Sequence, residues 1–166
     1  MIYVLQTLTG QELRVRDALI GKGYAAIVPR RVVSERKGGK WREVERTLFS
    51  GYVFLKLPDK LDDKTYHAAT NVHGEIRFCG NGNQPIPIAP SEEEYIKLLS
   101  PGGNPLGTSE ILQDGDTVRV ISGPLKNFEG RILAINKRQR RAKVAIELFG
   151  CPQTVELSVT CVSRQG

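Results

Sequence analysis

From residue 115 onward apolar and polar positions alternate: Val118 and Val120, then Ile132 and Ala134, then Val144, Ile146 and Leu148, then Val155 and Leu157. A period of two sends successive side chains to opposite faces. Turn residues break the alternation about every eight to twelve positions, so the pattern predicts several short antiparallel strands closing on a small core. The first turn, residues 122–130, is too long for a tight hairpin. Gly123 and Gly130 are expected to supply the positive φ angles that fold it back. The second turn, residues 137–141, has neither Gly nor Pro and gathers positive charge on one rim. A barrel of about 45 residues buries little surface and depends on good closure.

The earlier part of the chain mixes periods. Residues 2–5 and 25–29 read as short strands, and Thr9 and Glu12 have the Thr-x-x-Glu spacing of a capping box. The helix it opens should end at Gly21 or Gly23, with Leu13, Arg16 and Ile20 on one side and Val15, Ala18 and Leu19 close by. Residues 30–46, seven Lys+Arg against three Glu, form a β-hairpin about Gly38-Gly39 with a charged, solvated tip. Residues 43–49 are its return strand, 52–57 the next strand, 62–70 a short helix and 75–78 another strand. A second capping box at residues 91–94 precedes Tyr95, Ile96, Leu98 and Leu99. The order β-α-β-β-β-α-β-α predicts an α+β fold: an antiparallel sheet with helices packed on it, followed by the small barrel. Residues 100–108 are rich in Gly and Pro and read as a flexible linker. The expected division is a first domain at 1–100, a linker at 101–110 and a second domain at 111–166.

Composition narrows the function classes. An apolar content of 40% and a charged content of 25% over 166 residues are ordinary for a folded protein. The net charge is +6, and it is uneven: residues 1–110 hold 15 Lys+Arg against 13 Asp+Glu, residues 111–166 hold 9 against 5. The second segment is therefore the better candidate for an anionic partner, most often nucleic acid. Three cysteines (Cys79, Cys151, Cys161) include no Cys-x-x-Cys pair and suit no disulfide framework. No leader pattern and no apolar stretch of about eighteen residues are present, so a cytoplasmic protein without membrane contact is expected. His67, His73 and Cys79 are six apart, a spacing that suits no zinc site, and no nucleophile motif or phosphate loop occurs. No metal, no cofactor and no enzymatic activity are expected.

Two sets of residues carry a family resemblance. The run Gly-Asp-x-Val-Arg-Val-x-x-Gly-Pro-Leu-x-x-Phe-x-Gly at 115–130, with Ile-Glu-Leu-Phe-Gly at 146–150 and Val-Glu-Leu at 155–157, resembles the KOW domain of the NusG family of bacterial transcription elongation factors. Upstream, an Arg-rich helix after strand one, then Glu-Arg-Thr-Leu-Phe-Ser-Gly-Tyr-Val-Phe-Leu at 45–55 and Gly-Glu-Ile-Arg-Phe-Cys-Gly at 74–80, resembles the NGN domain that precedes KOW in that family. The fold implied is an NGN α/β sandwich followed by an SH3-like KOW barrel. The function implied is transcription elongation control by a monomer that binds RNA polymerase.

By that resemblance, Tyr52, Phe54 and Phe78 help line an apolar patch for the polymerase clamp helices, while plain core packing remains the alternative. His67 and Thr70 match positions that touch the polymerase gate loop, although Ala68 and Ala69 stand where hydrogen-bonding residues are expected. Lys137, Arg138, Arg140, Arg141 and Lys143 make the KOW tip more basic than in housekeeping members, which implies RNA binding, with Arg119, Lys126 and Arg131 extending the patch. Arg36, Lys37, Lys40, Trp41 and Arg42 at the hairpin tip are secondary candidates for RNA or upstream DNA. Leu125, Phe128 and Phe149 lie on turns the family uses for protein contacts. Leu125 replaces a common aromatic and Cys151 a common basic residue, against the usual contacts with ribosomal protein S10 and the termination factor Rho. The reading these features favour is a specialised antiterminator paralogue of the LoaP or RfaH type, its KOW domain holding an RNA hairpin in a leader transcript. The alternatives are a housekeeping coupling factor that uses KOW for S10 or Rho, and a ribosomal or RNA-chaperone protein.

Overall fold

The structure is a computed structural model and describes residues 1–74, 76–148 and 151–162, the side chain of Cys151 excepted. In chain order the first elements are β1 (Ile2–Gln6), α1 (Glu12–Gly21), β2 (Ala25–Ile27), β3 (Arg30–Lys37), β4 (Lys40–Thr47) and β5 (Tyr52–Lys56). There follow α2 (Asp63–Thr70), β6 (Arg77–Phe78), β7 (Gly80–Asn81), β8 (Gln84–Pro85) and α3 (Pro90–Leu99). The last five are β9 (Ser109–Asp114), β10 (Thr117–Ser122), β11 (Ile132–Asn136), β12 (Arg141–Leu148) and β13 (Cys151–Cys161). The chain forms two compact units, Met1–Val28 with Phe49–Glu94, and Pro29–Leu48 with Tyr95–Gly166.

The first unit is built on an antiparallel sheet in the order β2-β5-β1-β6. Its inner strands, Ile-Tyr-Val-Leu-Gln and Tyr-Val-Phe-Leu-Lys, are nearly continuous runs of β-formers, as strands buried on both faces are. One face packs Tyr3, Leu5, Val53 and Leu55 with Val15 and Leu19 of α1 and Ala69 of α2. The buried side of α1 is therefore Val15, Ala18 and Leu19, while Leu13 and Ile20 stay exposed. Neither capping box forms as expected. Gln11 takes the position before α1 without a side-chain cap, and Glu12 instead turns its carboxylate back to the Gly10 N–H at 3.0 Å and to the Gly51 N–H at 2.7 Å. Pro90 opens α3, one residue before the expected Ser91, because its missing N–H and fixed φ suit a first helical position; Glu92 accepts from the Ala89 N–H at 2.9 Å. α1 ends where Gly23 adopts φ 91° and the Tyr24 N–H reaches the Leu19 carbonyl.

In the second unit β3 and β4 pair in register from Arg30–Thr47 to Lys37–Lys40 about a Gly38-Gly39 turn. The five-stranded SH3-like barrel has the order β10-β9-β13-β12-β11, with β13 returning parallel to β9. Ile111, Val120, Val144, Ile146, Val155, Leu157 and Val159 are buried, the inward set of the alternation together with β9. β9 was not expected, because six residues following a Gly- and Pro-rich stretch show too little alternation to stand out. The 122–130 turn folds as a 3-10 stretch behind Gly123, whose φ is 98°; Gly130 does not take a positive φ. The hairpin packs on the barrel within this unit: Arg31 Nη1 donates to the Glu156 carbonyl at 2.7 Å, and Ser158 Oγ donates to the Val32 carbonyl. Leu106 is buried and exchanges two backbone hydrogen bonds with β3.

Candidate functional site

The β11–β12 turn, residues 137–140, is a charged loop that its own backbone holds in shape. Asn136 Oδ1 accepts from the Gln139 N–H at 2.9 Å, and the Arg140 carbonyl accepts from the Val159 N–H at 3.0 Å. Arg140 itself is, among the described residues, the one non-glycine with a positive φ, at 57°. That left-handed backbone costs roughly 1 kcal/mol and sets the direction in which the side chain leaves the turn. The Arg140 guanidinium lies 3.9 Å from the centroid of the Trp41 ring, a cation–π contact that joins the barrel turn to the hairpin.

Two grooves meet at Gln139 and Arg141. One, of about 380 Å³, is lined on the hairpin side by Ser34, Glu35, Arg36 and Trp41 and on the barrel side by Arg138, Gln139 and Arg141. The other, of about 410 Å³, runs along β11 and β12 past Lys137 and Lys143. Thus Arg36 and Trp41, expected as a secondary contact, belong to the same surface as Lys137, Arg138, Arg140, Arg141 and Lys143. The hairpin brings them there.

Carboxylates temper this charge unevenly. Glu156 Oε2 takes Arg141 at 3.3 Å and Arg31 at 3.5 Å, and Glu35 is engaged by Arg46 at 2.8 Å. Burial pulls the Arg31 guanidinium below the ordinary arginine range, with Glu156 opposing the shift. Arg138 and Arg140 are exposed, as are Lys37, Lys40 and Arg42 at the hairpin tip. Arg119 on β10 and Lys126 on the 3-10 stretch are exposed but line neither groove, and β10 stands at the opposite end of the strand order from β11. Arg131 lies 4.9 Å over the ring of Tyr95, which stacks on Phe128.

The aromatic residues of the first unit divide. Phe54 is fully buried, edge-on to Phe49 with centroids 5.6 Å apart, and Tyr52 is half-buried on the same face of β5. Phe78 is half-buried and stacks on exposed Tyr66 at 5.3 Å; His67 meets Tyr66 edge-on at 5.5 Å. Tyr66, missed in the sequence, belongs with Phe78 and His67. A lone aromatic in a short polar helix gives no signal until Phe78 is folded against it. The Thr70 hydroxyl donates to the Tyr66 carbonyl at 2.8 Å, so its proton is already used. Leu125 and Phe128 are buried, and Phe149 lies outside the described residues. Cys79 and Cys161 are free thiols, and burial pushes the Cys79 thiol up. Among the described residues no group of three or more metal-type ligands gathers, and no helix is long and apolar enough to cross a membrane.

The model of the family described as transcription termination factor NusG matches residues 2–97, more than half of the chain, and the KOW motif matches residues 115–147. The chain belongs to the NusG family. It is similar to the transcription termination/antitermination protein NusG of Thermus thermophilus, with 30% identity covering 98% of this chain and 97% of that one. Identity to NusG of Bacillus subtilis is 30%, covering 98% and 97%, and to NusG of Buchnera aphidicola 31%, covering 98% and 94%. The protein is thus a transcription termination/antitermination factor of the NusG family, which consists of regulators and not enzymes. The sheet and helices of the first unit lie within the NusG match, and the basic turn lies within the KOW match.

Proposed function

We propose that this NusG-family protein is a processive antitermination factor of the LoaP type, which binds RNA polymerase through its first domain and an RNA hairpin of a leader transcript through its KOW domain. The observation that carries the reading is the composite cationic rim. Arg36, Lys137, Arg138, Arg140, Arg141 and Lys143 line or border two adjoining grooves. A cluster of this density is self-repelling unless a polyanion arrives, and phosphate contacts gain affinity by releasing counterions. Grooves lined by guanidinium groups suit the backbone shape of folded RNA. On the first unit, the Tyr66–Phe78 stack and His67 offer an aromatic surface for the polymerase clamp helices and gate loop, while Tyr52 and Phe54 lie on the opposite face of the sheet. A bridge across the polymerase cleft holds the clamp closed and shifts the population away from the paused state. A monomer acting in the cytoplasm fits this role.

Gel shifts of the full chain with an RNA stem-loop test the rim. Reversing Arg138, Arg140 and Arg141 to Glu is expected to weaken binding by about 100-fold, and unchanged affinity sinks the RNA reading. Transcription by core polymerase through a terminator preceded by the leader tests the activity: readthrough should require both the chain and the leader.

A second reading, a housekeeping coupling factor, draws support from two exposed apolar residues of the barrel. Ile121 is 45% and Leu133 61% exposed, a surface suited to a protein such as S10 or Rho. Readthrough that does not depend on the leader, together with loss of a protein partner in Leu133→Asp, favours it.

A further inference from the structure

Charge explains why a polyanion sits on the rim, but it does not explain an indole at its centre. Trp41 is the single tryptophan of the chain and remains 44% exposed on a strand whose other residues, Val44 apart, are charged or polar. An indole face gives phosphate neither charge nor a donor. It does offer a flat apolar surface, and so does the base of a nucleotide. We infer that the Trp41 ring, covered by the Arg140 guanidinium in the free protein, is the stacking platform for one unpaired base of the bound RNA. The inference rests on the RNA reading of the rim.

The geometry is suited to a single nucleotide. The Arg140 guanidinium lies 3.9 Å from the Trp41 ring centroid, too close for a base to enter between them, so a base reaches that face in the guanidinium's place. The groove beside them, about 380 Å³, is too small for a duplex and large enough for one nucleotide. Its walls carry the Ser34 hydroxyl and the Gln139 amide, groups that hydrogen-bond the edge of a base, and Arg36 and Arg138, groups that hold the flanking phosphates, while the Glu35 carboxylate on the same wall is engaged by Arg46. An exposed cation–π contact is worth about a two- to fivefold preference, whereas a base stacked on an aromatic ring is worth about five- to 150-fold. A base therefore displaces the guanidinium from the indole. The freed cation still serves the adjacent phosphate. A fully paired stem has no base to offer, so the platform selects RNAs with a bulge or open loop, a choice that phosphate contacts cannot make.

Because Trp41 is the only tryptophan, its fluorescence reports the platform directly. The full chain is titrated with three short RNA hairpins that are fully paired in the stem, carry one bulged adenosine, or carry an abasic residue at the bulge. The bulged adenosine is expected to bind about tenfold more tightly than the paired stem and to quench Trp41, with the abasic hairpin behaving like the paired one. Trp41→Leu should bring the ratio to about one, while Trp41→Phe, which keeps a ring, retains a preference and separates stacking from misfolding. Arg140→Lys keeps the charge but removes the planar competitor for the ring, and should keep or raise the ratio. Equal binding of the bulged and abasic hairpins with unchanged Trp41 emission overturns the platform but leaves RNA binding standing. Failure of all three hairpins to bind overturns both.

Discussion

Glu12 shows how one side chain serves two distant pieces of backbone. Burial pushes its carboxyl upward, but hydrogen bonds from the Gly10 and Gly51 N–H groups outweigh this and hold it below the usual carboxylate range. A carboxylate depressed in the folded state contributes stability above its unfolded value of about 4.3, and that stability is lost as pH falls through the folded value. Glu12→Gln should therefore lower the unfolding free energy at pH 7 by about 1.5–3 kcal/mol. The difference from the parent should shrink as the pH is taken below about 4. Urea unfolding at both pH values reads this, and a deficit that is independent of pH would exclude the charge as its source. The sequence placed Glu12 in a capping box with Thr9; only the fold brings Gly51 within reach, from 39 residues away.

Among the elements, the 3-10 stretch of the barrel depends on a close approach. A side chain at Gly123 would place its Cβ 2.6 Å from the Ser109 backbone, and φ there is 98°. Ser109 Oγ in turn accepts from the Leu125 N–H at 2.9 Å, fixing buried Leu125 over the core. Gly123→Ala is expected to cost about 2–4 kcal/mol, the sum of left-handed strain and a backbone clash. Thermal unfolding measures the loss, and Gly130→Ala, where φ is not positive and no atom crowds the site, is the control that should change little. The alternation marked the inward residues of β10, β12 and β13, because period two is written in the sequence; in β11 a register shift between Ile132 and Ala134 breaks it and leaves Ala134 exposed. β9 escaped because its pairing with β13 and β10 comes from residues far along the chain.

For the whole molecule, the cationic rim makes a quantitative demand on RNA binding. Six cations (Arg36, Lys137, Arg138, Arg140, Arg141 and Lys143) border it, one of them shared with Glu156. With five or six phosphate contacts, log affinity for an RNA hairpin should fall against log salt with a slope of about −3.5 to −5.5. A titration between about 50 and 200 mM salt reads it. A slope near zero would mean that the rim takes a partner other than nucleic acid. Reversing exposed Arg119, which borders neither groove, should alter the slope less than reversing Arg138.

By itself the chain determined the α+β class, the order of the elements apart from β7, β8 and β9, the β3–β4 hairpin turn and the basic residues at 137–143, since local period, glycine pairs and charge are properties of neighbours. Tertiary structure decided which of those residues meet. Trp41 and Arg140 are about a hundred positions apart, and no local signal joins them. Their contact arises because Arg31, Val32 and Leu106 pin the hairpin against Glu156 and Ser158 of the barrel, and long-range packing of that kind is set by the shape of the closed sheet. The same reason buried Phe54, Leu125 and Phe128, and left Tyr66 at the surface beside Phe78.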